Sequence, residues 1–324
     1  MASAIRIDNG QTVVINTAVT ANYLVVNGTL EVTTGGVLTG EADTFGVPAT
    51  VQVVQNGMLR VTGGTVTSQP GGSGFVGPVY LQGGSVTVTS GSVIANGGGV
   101  GGNSAIQMIA GQSPASVTIS GGQITGGNGG TGGGSGVLMI GQEGPNVLAI
   151  LGGAINGGYG GTGGGAGVAL VSGSSRGSNS LSVGGGTITP GGGGTGAGSA
   201  LQVNDQGTVS ITGGTLGGNG GSAVLLLQQK AVLAFTVGIS GGTIIGGNAF
   251  SPAINMQVPR NAVGVTVSGG NFSGTWNLGS GLAIVQGTGL TFSNGTLAGT
   301  LAHGQAINVP VSVQTDAQLI IQTA

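Results

Sequence analysis

Residues able to do acid–base or nucleophilic chemistry are scarce in this chain: seven acids, five bases, one histidine and no cysteine among 324 residues. The closest acidic pair is Glu41 and Asp43, whose i, i+2 spacing would place both carboxylates on one face of a strand. Glycoside hydrolysis needs two carboxylates facing one sugar bond. A lyase needs a base with a cation or metal to hold developing charge. No His or Lys lies near Glu41 and Asp43 in sequence, and Arg60 falls in the next repeat, so this pair reads as solvated. Asp8 and Asp316 are solitary, and His303, in Leu301-Ala-His-Gly304, has no second metal ligand beside it. Gly173-Ser-Ser-Arg-Gly177 spells a nucleophile elbow, but that motif works only between a strand and a helix, and no helical pattern follows. Matches to GxGxxG recur for the same compositional reason and open no helix. The triplets Asn27-Gly-Thr29 and Asn294-Gly-Thr296 read as turns. The expectation is therefore no catalytic residue, no cofactor and no metal.

The remaining charges fall into a pattern. Glu143, Arg176, Asp205, Lys230 and Arg260 occupy corresponding places in successive repeats. Stacked repeats would set them along one edge in the order minus, plus, minus, plus, plus. Such a row fixes register and keeps the edge solvated, each exposed pair being worth about 0–1 kcal/mol. Its sharper reading is a contact ridge for a partner. A formal charge of −2 excludes a basic footprint for nucleic acid. Every apolar stretch is broken well before the length of a membrane helix. The opening Met-Ala-Ser-Ala-Ile-Arg is not expected to act as a signal peptide.

The elements that carry these residues are repeats. Glycine accounts for 78 residues and charged side chains for only 4%, against roughly 7% and 25% in ordinary domains. Disorder is excluded by a recurring phrase: Val117-Thr-Ile-Ser-Gly-Gly-Gln-Ile124, Leu148-Ala-Ile-Leu-Gly-Gly-Ala-Ile155, Leu181-Ser-Val-Gly-Gly-Gly-Thr-Ile188 and Val209-Ser-Ile-Thr-Gly-Gly-Thr-Leu216. Its anchors are Gly64, Gly91, Gly122, Gly153, Gly186, Gly214, Gly242, Gly270 and Gly295, with Gly10 and Gly35 extending the series less cleanly. The residues five before, three before and two after each of the nine are Val, Ile, Leu or Phe. That alternation predicts a half-buried strand. A second strand is expected to follow in each repeat, as in Ala105-Ile-Gln-Met-Ile109 and Ala200-Leu-Gln-Val203.

The third leg is nearly side-chain-free, as in Gly126-Gly-Asn-Gly-Gly-Thr-Gly-Gly-Gly-Ser-Gly136, and its matches begin at Gly157 and Pro190. Alone it would be a flexible linker. A fixed place in each repeat predicts an ordered extended leg stacked on its neighbours, with Thr131, Thr162 and Thr195 in one row. The legs shorten downstream, which predicts a rod widest in its middle. The fold expected is all-β: one parallel β-solenoid of about 10–11 coils over residues 1–308, roughly 50 Å long, with 309–324 as a β-prone capping or assembly tail.

Repeats such as Val25-Val-Asn-Gly-Thr-Leu-Glu-Val32 and Val51-Gln-Val-Val-Gln-Asn-Gly-Met-Leu-Arg-Val61 resemble right-handed β-helix passenger domains of autotransporter adhesins. The polyglycine legs are similar to glycine-rich tips of phage tail-fibre adhesins. Both resemblances imply a non-enzymatic protein exposed at a cell surface or on a virion. With terminal segments that read as open strands (Ile5-Arg-Ile7 and Gln318-Leu-Ile-Ile-Gln322), the partner expected first is a further copy, joined into a fibre or layer. A cell-surface glycan or protein is the other partner expected. The competing reading is a β-helix that binds or cleaves polysaccharide. A cleft with two or more acids and an aromatic platform would favour cleavage, and the chain offers only one Trp, three Tyr and six Phe.

Overall fold

A computed structural model describes residues 5–21, 23–40, 49–68, 77–98, 100–174, 176–218, 220–227, 235–247, 253–257, 263–273, 276–277, 282–301, 311–313 and 317–323. The described residues contain strands, turns and extended legs and no helix. Each strand pairs in parallel with its equivalent one coil on, so the molecule is a parallel β-solenoid. The first sheet threads Ile5–Ile7, Leu24–Val26, Val51–Val53, Val79–Leu81, Ile106–Met108, Val137–Gly141, Val168–Ser172, Leu201–Asn204, Val224–Leu227 and Ile254–Gln257. The second sheet holds the strands that lead into and out of the anchor glycines, such as Ala115–Ile119 with Gln123–Thr125, stacked on Pro145–Ile150 with Ala154–Asn156.

Period-2 alternation decides which side chains fill the interior. From the first sheet, Val79, Ile106, Val137, Val168, Leu201 and Val224 form one buried row. From the second sheet, Val86, Val117, Leu148, Leu181, Val209 and Val237 form another. No coil could bury these residues alone; stacking gives each a like neighbour above and below. Across the corner, Val93, Ile124, Ile155, Ile188, Leu216 and Ile244 complete the core.

The anchor corner needs glycine for two reasons. Gly122, Gly153, Gly186, Gly214 and Gly242 all have φ between +76° and +84°, a region costly for residues with a Cβ. They also stack so closely that a Cβ on Gly186 would lie 2.7 Å from the Gly153 carbonyl oxygen. The carbonyls in this column accept from the next coil: Ala154 N–H to Gly122 O at 2.9 Å, Thr187 N–H to Gly153 O at 2.9 Å, Thr215 N–H to Gly186 O at 2.9 Å.

Two ends of the anchor series differ. Thr65 pairs with both Val37 and Ser92, which sets Gly64 level with Gly36 and Gly91; the positive φ in that earlier coil belongs to Gly35. Near the C-terminus the register sets Leu290, not Gly295, opposite Gly270; Gly295 pairs with Ala317 in the first sheet. The local phrase there repeats while the register does not: Phe272 pairs with Phe292, twenty residues on. Val311–Val313 and Ala317–Thr323 continue the two ladders beyond residue 308.

The glycine legs form the third side. Isolated parallel bridges link Gly98, Gly129, Gly160 and Gly193 in one line and Gly101, Gly132, Gly163 and Gly196 in another. Each leg doubles back, with Gly134 N–H donating to Gly127 O (2.8 Å), Gly165 to Gly158 (2.9 Å) and Gly198 to Gly191 (2.9 Å). Neighbouring legs interlock through Gly158 N–H to Gly134 O (2.7 Å) and Gly191 N–H to Gly165 O (2.8 Å). A Cβ on Gly133, Gly164 or Gly191 would lie 1.8–1.9 Å from a carbonyl oxygen, so backbone occupies the volume that side chains take elsewhere. Downstream only six residues, 218–223, separate strands Thr215–Gly217 and Val224–Leu227.

Candidate functional site

Corners between the first and second sheets vary in length, and that variation opens a recess on the outside of the coils. Only Gln82 and Gly83 join Val79–Leu81 to Gly84–Ile94, whereas residues 54–57 and 109–114 bridge the coils on either side. The short corner lies as a floor between two taller walls. The resulting groove has a volume of about 340 Å³, within the roughly 300–1,000 Å³ range of small-molecule sites.

Its polar lining is Gln55, Gln82, Gln112, Gln142, Ser113 and the Tyr80 ring, with Val54, Ile109 and Gly111 supplying apolar surface. No acid and no base belongs to that lining. The floor is tied down: Gln52 donates from Nε2 to Gln82 Oε1, and Gln82 Nε2 donates to the Tyr80 hydroxyl at 3.2 Å. Backbone bonds continue through the corner, from Gln82 N–H to Val53 O (3.0 Å) and from Gly111 N–H to Gln82 O (3.1 Å). Gln55, Gln112 and Gln142 are exposed, and their side-chain amides make no hydrogen bond to described protein atoms. Tyr80 also acts on Tyr23: burial first, and the nearby Tyr80 phenol second, raise the Tyr23 pKa above the ordinary tyrosine value.

Of the charged row expected along one edge, three members lie among the described residues. Glu143 and Arg176 are exposed and, among the described residues, form no ion pair with each other. Asp205 is turned inward and is only 6% exposed. Its corner has shrunk to Asp205 and Gln206 between Leu201–Asn204 and Gly207–Ile211, which forces Asp205 to φ +64° in a tight turn. Lys230 and Arg260 lie outside the described residues, as do Glu41, Asp43, Ser175, His303 and Asp316. Among the described residues Arg6 and Asp8 form an ion pair, at 3.1 Å on the surface. Among the described residues no three His, Cys, Asp or Glu come together as metal ligands.

A strand, Ser178–Val183, follows Gly177, so the elbow-like pentapeptide has no helix behind it. The threonine row exists as a hydrogen-bonded ladder: Thr162 Oγ1 donates to Thr131 O at 2.7 Å and Thr195 Oγ1 to Thr162 O at 2.9 Å. One polar feature was missed by sequence reasoning. Asn146 and Asn179 are buried at the sheet–sheet corner, where Asn146 Nδ2 donates to Asn179 Oδ1 (2.9 Å) and to Ile140 O (2.9 Å). Asn146 Oδ1 accepts from Ala110 N–H (3.0 Å), and Asn179 Nδ2 donates to Val171 O (3.0 Å). The signal was available: Asn146 and Asn179 each stand two residues before an inward leucine, Leu148 and Leu181, and so must point inward too.

No family model, curated protein or solved structure matches the chain.

Proposed function

We propose that this chain is a non-enzymatic structural and adhesive repeat protein, acting outside a cell or on a virion and associating with further copies of itself. The observation that carries the reading is the outer face of the second sheet. There Thr87, Thr118, Ala149, Ser182, Ser210 and Gly238 stand in register, one per coil, as a row of short uncharged groups. Regular repetition of weak contacts is what a surface-binding rod requires, because linked sites gain avidity without any single strong contact. The resemblance to passenger domains and tail-fibre tips supports the exterior location.

Self-association is supported by the first described coil. Among the described residues its strands Ile5–Ile7, Thr12–Ile15 and Ala18–Ala21 pair on one side only, and Ile5, Val13, Val14 and Val19 are exposed there. A strand edge and apolar surface of this kind accept another strand. Negative-stain electron microscopy of the purified chain tests the reading: rods joined into fibres or layers support it. Isolated short rods at every concentration remove the self-association, and a turnover of polysaccharide by the same preparation removes the non-enzymatic part. A second reading, polysaccharide binding, is favoured specifically by the groove around Tyr80 and Gln82, whose lining is amide and aromatic and contains no carboxylate.

A further inference from the structure

We infer that the groove over Gln82 binds an uncharged saccharide chain, an inference that deepens the adhesive reading and rests on it. Saccharides present many hydroxyls that both donate and accept, together with apolar C–H faces. An amide matches a hydroxyl in both directions, since its oxygen accepts and its nitrogen donates twice. Gln55, Gln112 and Gln142 hold such amides at the groove without described protein partners to compete for them, and Ser113 adds a hydroxyl. Tyr80, Val54 and Ile109 provide surface for the C–H face.

The charge pattern selects among saccharides. The lining itself carries no charge, which leaves a carboxylated or sulfated sugar without a counter-charge. Glu143, next in sequence to the lining residue Gln142 and exposed, is itself negative and offers a uronate no counter-charge. The short corner is held by the backbone ladder on both sides and by the Gln52–Gln82–Tyr80 chain, so little order must be gained on binding. A chain of sugar units has a further reason to favour this place: the groove lies on the outside of a rod, open to a polymer that continues beyond it.

The experiment titrates the full chain with hexasaccharides of glucose, mannose and xylose, and with hexagalacturonate, followed by calorimetry or by NMR shifts. At least one uncharged hexamer is expected to bind with a dissociation constant on the order of 1 mM, and hexagalacturonate at least about tenfold more weakly. Gln82→Ala and Gln112→Ala are expected to weaken binding about threefold to tenfold each, the scale of one lost hydrogen bond. Gln202→Ala, on the same outer face in a different coil and bonded to Asn204, is expected to leave it unchanged. Circular dichroism of each variant guards against misfolding. Absence of binding by every uncharged hexamer at about 10 mM, undiminished binding in both groove variants, or tighter binding of hexagalacturonate overturns the inference. Rods and fibres seen by microscopy without sugar binding would overturn the groove alone and leave the structural reading standing.

Discussion

Adjacent glycines in one leg have opposite tolerances. Gly163 has open space where a Cβ would go, while a Cβ on Gly164 would lie 1.8 Å from the Gly191 carbonyl oxygen. Gly163→Ala should therefore be neutral or stabilise by about 0.4–1 kcal/mol, through lost freedom in the unfolded chain. Gly164→Ala should cost about 3 kcal/mol or more, because backbone has to move. Thermal or urea denaturation of the two variants measures the difference, and similar stabilities would show that the legs are not packed on each other. The asparagine pair gives a second residue-scale test. Asn146→Ala strands Ala110 N–H and Ile140 O in the interior, and each buried orphan costs about 1–3 kcal/mol. Asn179→Ala should destabilise too, and the double variant by less than the sum, since Asn146 and Asn179 bond each other. Tyr23 supplies a pH test. Its folded pKa is raised, so the folded state holds the phenol proton longer than the unfolded state does. The stabilisation is complete below the ordinary tyrosine pKa, about 10, and is lost as pH rises through the higher folded value. Tyr23→Phe should flatten the loss of stability above about pH 10, read as melting temperature against pH.

At the scale of elements, the core is a set of columns, and each column depends on its like neighbours. Ile155 stands between Ile124 and Ile188, all fully buried, and its Cγ2 lies 2.6 Å from where a Cβ on Gly136 would be. It therefore packs the anchor strand against the glycine side. Ile155→Ala should cost about 2–5 kcal/mol, and more than an alanine substitution at the exposed Leu151 in the same corner, measured by the same denaturation. These columns were legible in the sequence because the anchor phrase repeats the inward positions at fixed offsets, as at Val117, Ile119 and Ile124. The doubled-back legs were legible only as ordered legs, since glycine carries no alternation from which to read a fold-back. The corners were not legible. Whether Asp205 faces water depends on how many residues its own turn has lost relative to Ser172–Ser178 one coil earlier, and that appears only once the pairing register is known. The groove over Gln82 was hidden for the same reason: it is a difference between three neighbouring corner lengths. Gly295 shows the converse failure, where a matching local phrase sits on a different sheet.

For the whole molecule, cohesion comes from backbone and aliphatic contacts, and charge contributes little. Twelve acids and bases in 324 residues leave a net −2, and the ion pair at Arg6–Asp8 is well exposed on both sides. Exposed pairs of that kind are worth about 0–1 kcal/mol and are screened by salt. The stack itself is held by carbonyls and amides in column, such as Val137 N–H to Gly167 O (3.0 Å) and Val168 N–H to Ala200 O (2.8 Å), which salt does not screen appreciably. Raising sodium chloride from about 20 mM to about 500 mM should therefore shift the melting temperature by no more than about 2 °C. Association between copies should respond in the same way if apolar strand edges such as Ile5 and Val14 mediate it, and fibre length in micrographs should persist at high salt. Dissociation of fibres at about 500 mM would assign the contact to charged groups instead, such as Arg6 and Asp8 of the first coil or Glu31, which pairs with Val14. The saccharide binding proposed for the groove should be equally indifferent to salt, because the lining amides and Tyr80 carry no charge to screen. A protein built this way can keep its shape and its contacts across the changing ionic strengths found outside a cell, which is the physical link between its charge-poor sequence and the exterior role proposed for it.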